Sequence, residues 1–363
     1  MVNGIFVFLL FALPFVVIFA GISPFETYKV IAAEVLIEIL LFFKLIYPKK
    51  FQFNKFNKQQ IVLISLLIGL IIIDFIFLPN SNNFFGNPFR LQGILLLLHL
   101  LIFSLLSSLV EIKIPKFIPI IALSLLFATT LFLGQNSNSR FYGVLGEPNA
   151  LAATAVFLLP FILFRQKLVF KLVGLLITLI IIYLSGSRSG LIALIIQMSF
   201  ILISFKSKIS LSKSFFVCLI LLGLSFFLPF FEKHTGLYEN RSLVWQTAFS
   251  AGLKSPLIGW GFGNIESGIR KTALELNNAV RVEYVDSSHN FILDYFVQGG
   301  TIGLGILGTI LFLSTKGLIR NSKKMELVIL LGLITAMSFN PASVVILIGF
   351  WWVLGQGFYQ NQK

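Results

Sequence analysis

Apolar residues run almost unbroken along this chain, and polar positions interrupt them in clusters at intervals of roughly 20 residues, the length of helix that crosses about 30 Å of hydrocarbon. The runs are continuous, where the strands of a membrane barrel would alternate apolar and polar positions, so they predict helices. Twelve spans are predicted, at about 4–20, 28–47, 60–78, 91–110, 117–133, 150–164, 168–184, 189–205, 214–231, 290–313, 325–339 and 342–357. Met1 to Gly4 carries no Lys or Arg and no clear cleavage site follows the first run, so it reads as an uncleaved helix.

Three polar islands stand out from this pattern: RFYGVLGEPNA at 140–150, SGSRSG at 185–190, and a long stretch between spans nine and ten, at 232–288. If the spans alternate, all three lie on one side of the bundle.

Composition fits the pattern. Hydrophobic residues make up 57% of the chain, charged residues 12%, and mean hydropathy is +0.95, beyond what a soluble globule buries. The expected fold class is an all-α integral membrane protein, one polytopic domain over 1–363.

Charge sets the orientation, because cytoplasmic loops carry the excess of Lys and Arg. Alternate loops hold 18 of the 28 basic residues, from Lys44, Lys49, Lys50, Lys55 and Lys58 through Lys113, Lys116, Arg165, Lys167, Lys171, Lys206, Lys208 and Lys213 to Lys316, Arg320, Lys323, Lys324 and Lys363. Both termini are therefore expected inside a cytoplasmic (inner) membrane. The net charge of +14 is mostly a topology signal and does not indicate nucleic acid as a partner. Of the 20 Lys, 16 fall on the inner side, whereas Arg90, Arg140, Arg188, Arg241, Arg270 and Arg281 fall on the outer side. A guanidinium offers a planar fork for paired phosphate oxygens, so gathered outer arginines suggest a phosphate-bearing ligand; lipid headgroups are the alternative for Arg90, Arg270 and Arg281.

The lone Cys218 lies in the ninth span and excludes an intramolecular disulfide. His99, His234 and His289 show no metal-ligand spacing, so no metal or other cofactor is expected, apart from a transient divalent ion at a diphosphate. His99, deep in a Leu-rich span, reads as a bundle hydrogen-bonding residue.

In the first island Pro148 marks a turn and Asn149 is placed to cap the sixth helix. Glu147, a carboxylate beside a basic cluster, is suited to orient an arginine or to accept a proton from a sugar hydroxyl. In the second, Gly186 and Gly190 relax a tight hairpin whose tip is Arg188, and a helix starting after Gly190 would aim free N–H groups at a phosphate. The long loop has six basic and six acidic side chains and is expected to be ordered, with short helices. Arg241 opens one of them, with Leu243, Val244, Ala248 and Leu253 as its apolar face. The glycines at 259, 261 and 263 are a weak signal for backbone N–H groups approaching an anion. His289 sits at the membrane boundary, where an imidazole is a natural general base near neutral pH; capping of the tenth helix by His289 and Asn290 is the structural alternative.

Taken in order, Arg140 to Asn149, Ser187-Arg188-Ser189-Gly190, Arg241-x-x-x-Trp245, Ser255-Pro256-Leu257-Ile258-Gly259-x-Gly261-x-Gly263-Asn264, Ser288-His289-Asn290 and Gly299-Gly300-x-Ile302-Gly303 resemble the O-antigen ligase and polymerase superfamily, over residues 130–320. The resemblance implies a GT-C-like glycosyltransferase acting outside the cytoplasmic membrane. Its donor is a glycan on a polyprenyl diphosphate, and its acceptor a hydroxyl of a lipid, glycan or protein. It implies Arg188 and Arg241 at the diphosphate and His289 activating the acceptor, with Arg140, Glu147, Asn149 and Asn290 binding substrate. The paired Arg-x10-Gly loops of polymerases are not evident, since no glycine stands ten positions after Arg140 or Arg241, which leans toward a ligase. Polymerase and protein O-oligosaccharyltransferase are the alternatives within the family. A glycan flippase or transporter is the alternative outside it, against which stand the lack of a visible repeat between halves and the scarcity of midspan acids beyond Glu34, Glu38 and Asp74.

Overall fold

In hydrocarbon every backbone N–H and C=O must be satisfied within its own segment, and long apolar runs meet that demand by coiling. The computed structural model describes residues 1–20, 23–47, 58–77, 81–134, 139–206, 209–227, 241–277 and 285–359. Each of the twelve apolar runs is helical over most of its described length, and no β-strand is present among the described residues.

The helices are α1 (Val2–Val7), α2 (Thr27–Ile46), α3 (Lys58–Phe77), α4 (Ser81–Phe85), α5 (Ile94–Leu109), α6 (Ile118–Leu133), α7 (Pro148–Arg165) and α8 (Leu168–Ser185). There follow α9 (Arg188–Lys206), α10 (Leu211–Ser225), α11 (Arg241–Lys254), α12 (Ile265–Glu275), α13 (Phe291–Arg320), α14 (Lys324–Met337) and α15 (Val344–Phe358). Among the described residues four stretches are long and apolar enough to cross a membrane by length and composition: Pro148–Arg165, Leu168–Ser185, Arg188–Phe205 and Phe291–Arg320. The first run differs from expectation: α1 widens into a π turn, then tightens to a 3₁₀ turn and stops at Phe15, just after Pro14, which has no N–H to continue the ladder.

The core is built on α7, α14 and α15, whose side chains are buried nearly all round, and the other helices pack around them. Small residues permit close crossings: a Cβ on Gly349 would meet the Phe157 ring at 2.7 Å, and one on Gly190 would meet Ala152 at 2.7 Å.

One helix is broken, and the break anchors the long loop. At Gly300 α13 adopts φ 59°, ψ −159°, a region open essentially to glycine alone. The interruption leaves carbonyls and N–H groups without intrahelical partners, and the segment 256–261 takes them. Trp260 N–H donates to Val297 O (2.8 Å) and Gly261 N–H to Gln298 O (2.9 Å), while Thr301 N–H donates to Pro256 O (2.8 Å) and Ile302 N–H to Leu257 O (3.2 Å).

Hydrogen bonds also divide the bundle into two ends. At one, Asn3 exchanges bonds with Lys113, Arg165 reaches Ile114 O, Gln166 reaches Lys116 O, Lys324 reaches Ser204 O and Lys323 reaches Gln356. These join the Lys-rich segments. The polar islands are joined to one another at the other end.

Candidate functional site

The α14–α15 loop, Ser338 to Ser343, is the hub of that second end. Its Asn340 is buried, donates from Nδ2 to Ser189 Oγ and Ala336 O (3.2 Å), and accepts from Arg241 Nη2 at 3.3 Å. Ser189 Oγ lies 3.0 Å from Ser187 Oγ. Arg140 donates from Nε to Ser185 O at 2.7 Å and from Nη2 to Asn149 Oδ1 at 2.9 Å. Asn149 and Asn340 line one small cavity of about 10 Å³ between α7 and the loop. The first island, the hairpin before α9 and the first residue of α11 thus meet around Asn340.

Several local details differ from the sequence expectation. α7 starts at Pro148, with Glu147 at the cap position, so Asn149 lies inside the first turn and its side chain turns to Arg140 instead of capping. α9 starts at Arg188, two residues before Gly190, and Ser187 Oγ caps it by accepting from Gly190 N–H at 3.2 Å, so that N–H is already engaged. Gly186 does hold a left-handed turn, whereas Gly190 is helical and its role is the close approach to α7. Arg188 itself is exposed at the start of α9.

Arg241 opens α11 as expected. That helix buries Val244, Trp245, Ala248 and Ala251, with Trp245 against Phe226 and Phe339, while Leu253 is exposed. The glycine-rich segment that follows spends its N–H groups within the protein: Phe262 N–H on Asp74 (3.0 Å), Gly263 N–H on Gln298 Oε1 (2.8 Å), and the two at Trp260 and Gly261 on α13. Its glycines serve backbone approach to the Gly300 break, and Asp74, one of the acids weighed for transport, is its anchor on α3.

On the other side of the hub lies a second cavity, of about 100 Å³, which shares Met337 and Pro341 with the first. Its polar wall includes Arg90, Asp286, Ser287 and Asp294. Arg90 Nε is 2.5 Å from Asp286 Oδ2. Burial disfavours the charge of Arg90, but Asp286, Glu147 and Glu26 more than offset it and hold the group ionised. Arg90 is thus paired with Asp286, and the charge of Glu147 acts on it without an ion-pair contact. Glu26, buried, is pushed above the usual carboxylate range by that burial, opposed by the Val344 N–H (2.5 Å), Arg90 and Lys29.

The turn before α13 carries His289. Asn290 Oδ1 caps the helix, accepting from Ile292 N–H (3.0 Å) and Leu293 N–H (3.2 Å), so the capping alternative holds for Asn290. His289 is half-buried, with a backbone φ of 57°, rare for a residue with a Cβ. Its N–H donates to Ser287 Oγ at 3.0 Å. Two residues of this end escaped sequence reading: Asn340, uncharged in a loop of only a few residues, and Asp294, placed inside a predicted span. His99 sits away from the site, between Leu95 O (2.8 Å) and Glu38 (3.2 Å). His234 and Arg281 lie outside the described residues. Among the described residues no group of three His, Cys, Asp or Glu side chains is placed to hold a metal ion. Counted with ten residues intervening, Arg241 does lead to Gly252, which packs on Phe296, while Arg140 leads to Leu151; one of the two spacings is present.

Comparison with known proteins follows the same residues. A family model described as O-antigen ligase matches residues 173–313, which include Arg188, Arg241, His289 and the Gly300 break. A ComP-specific O-oligosaccharyltransferase of Acinetobacter baylyi (strain ATCC 33305 / BD413 / ADP1) is 26% identical over 302 residues, covering 74% of this chain and 53% of that protein. The chain thus spans about half the length of this curated relative.

Proposed function

With the resemblance to the O-antigen ligase superfamily shown across residues 173–313, we propose that this protein is a membrane glycosyltransferase of cell-surface polysaccharide biosynthesis. It moves a glycan from a polyprenyl diphosphate carrier to an acceptor hydroxyl, O-antigen ligase-like, at the extracytoplasmic face of the inner membrane. The supporting observation is the meeting of Arg140, Asn149, Ser189 and Arg241 around Asn340, with the His289 turn across the same loop. The Lys-rich end is then cytoplasmic.

His289 takes the proton of the acceptor hydroxyl, the oxygen forms a bond to the anomeric carbon, and the bond from that carbon to the diphosphate oxygen breaks. The electron pair leaves with polyprenyl diphosphate, whose growing charge Arg188 and Arg241 stabilise; removing one such group commonly costs about 10²- to 10³-fold in rate. Arg140, Glu147, Asn149 and Asn290 frame the substrates, and attack opposite the leaving group inverts the anomeric centre. A protein hydroxyl as acceptor is the second reading, favoured by the oligosaccharyltransferase relative.

The test is purified protein in liposomes with a labelled polyprenyl diphosphate glycan, offered lipid, glycan and protein acceptors in turn. Formation of a new glycoside, one per polyprenyl diphosphate released, is expected. Movement of intact donor between leaflets with no glycoside from any acceptor would overturn the reading in favour of a flippase.

A further inference from the structure

The backbone of His289 is held in the left-handed region, which a histidine leaves readily unless its surroundings hold it there. The groups that hold it converge on one carboxylate, that of Asp294, in the first turn of α13. Asp294 Oδ1 accepts from Ser288 N–H at 2.8 Å and Ser288 Oγ at 2.5 Å, and Oδ2 accepts from Ser287 Oγ at 2.8 Å. Ser287 Oγ, its proton committed to Asp294, presents a lone pair to the His289 N–H at 3.0 Å. Ser288 Oγ likewise accepts from Asn290 N–H at 3.2 Å. The Asp294 N–H donates to Asn290 O at 2.8 Å, closing the first turn over the cap. The carboxylate therefore grips both residues before the histidine, while the cap fixes the residue after it.

A serine-rich turn could be locked by neutral groups alone. Three donors arrive at this carboxylate, two at Oδ1 and one at Oδ2, so both of its oxygens act as acceptors. Exchanging one oxygen for an amide would aim a donor at Ser287 Oγ or at the Ser288 N–H. The chain that reaches the histidine would then reverse or break.

We infer that Asp294 is a positioning residue for His289: through Ser287 and Ser288 it holds the left-handed turn that aims the imidazole at the acceptor hydroxyl. It touches no reacting atom. The inference rests on the proposed role of His289 as base, and the experiment separates the two.

Transfer kinetics are compared for wild type, Asp294→Asn, Ser287→Ala, His289→Ala and the double variant Asp294→Asn/His289→Ala, with the thermal midpoint of each followed in detergent. Asp294→Asn is expected to lower kcat about 10- to 100-fold with the donor KM within about twofold. Ser287→Ala should act in the same sense and less. The double variant should be no slower than His289→Ala alone, because a misplaced base that is already absent costs nothing more. Asp294→Asn with wild-type kcat, beside an inactive His289→Ala, would overturn this inference and leave the function standing. So would a double variant slower than His289→Ala by the full Asp294→Asn factor, which marks a role independent of the histidine. His289→Ala with wild-type kcat would overturn the role of His289 as base, and this inference with it, while transfer itself stands. Should Asp294→Asn lose its thermal transition, Ser287→Ala and its double variant with His289→Ala carry the same comparison.

Discussion

Asn340 carries no charge, yet it touches both the α9 hairpin and Arg241, and it accepts from one arm of the guanidinium. Asn340→Ala removes an acceptor from a charged donor, a loss of about 1.5–3 kcal/mol in general terms. If the bond matters only to aim Arg241, transfer should fall about tenfold, and Arg241→Ala should be made no worse by adding Asn340→Ala. Arg241→Lys should fall nearly as far as Arg241→Ala, since an ammonium cannot span paired phosphate oxygens. The basic residues of this site were legible because charge in an apolar chain is conspicuous. Asn340 and Asp294 were not: one is a polar residue in a short loop, the other lay within a run that hydropathy assigns to the membrane. Their meaning comes from what they touch.

At the scale of elements, the break in α13 is the feature on which the long loop depends. A Cβ on Gly300 would stand 2.4 Å from the Leu257 carbonyl and would occupy a backbone region reserved for glycine. Gly300→Ala should therefore cost at least about 1–3 kcal/mol from the backbone alone and lower the unfolding midpoint in detergent. In the same helix Gly305 has nothing within 4 Å of a Cβ, so Gly305→Ala should leave the midpoint unchanged or raise it. Equal midpoints for the two variants would contradict the stitched break. Helix positions were legible from run length, and α11 from the apolar face that follows Arg241, whereas α12 was not placed by the sequence. The exchange of hydrogen bonds between 256–261 and α13 was not, since it pairs backbone groups that any sequence possesses. For the same reason the glycines read as an anion cradle proved to be a packing surface.

Across the whole molecule, the division of Lys and Arg between loops becomes a division between two hydrogen-bonded ends. If the Lys-rich end is cytoplasmic, exposed Lys254 at the arginine end and exposed Lys167 at the other face opposite compartments. A Lys254→Cys variant should react with a membrane-impermeant thiol reagent on cells whose outer barrier is opened, and Lys167→Cys only once the inner membrane is breached. The native Cys218 is buried and should stay silent in both. Reversed labelling would put the arginine cluster in the cytoplasm, away from the expected site of transfer. The most direct measurement of the central claim is transfer of a labelled glycan from polyprenyl diphosphate by wild type and by Arg188→Ala, Arg241→Ala and His289→Ala in liposomes, with folding checked for each. Product is expected with wild type, and a fall of at least about 10²-fold in every variant that still folds. Product formation that survives all three substitutions would contradict it.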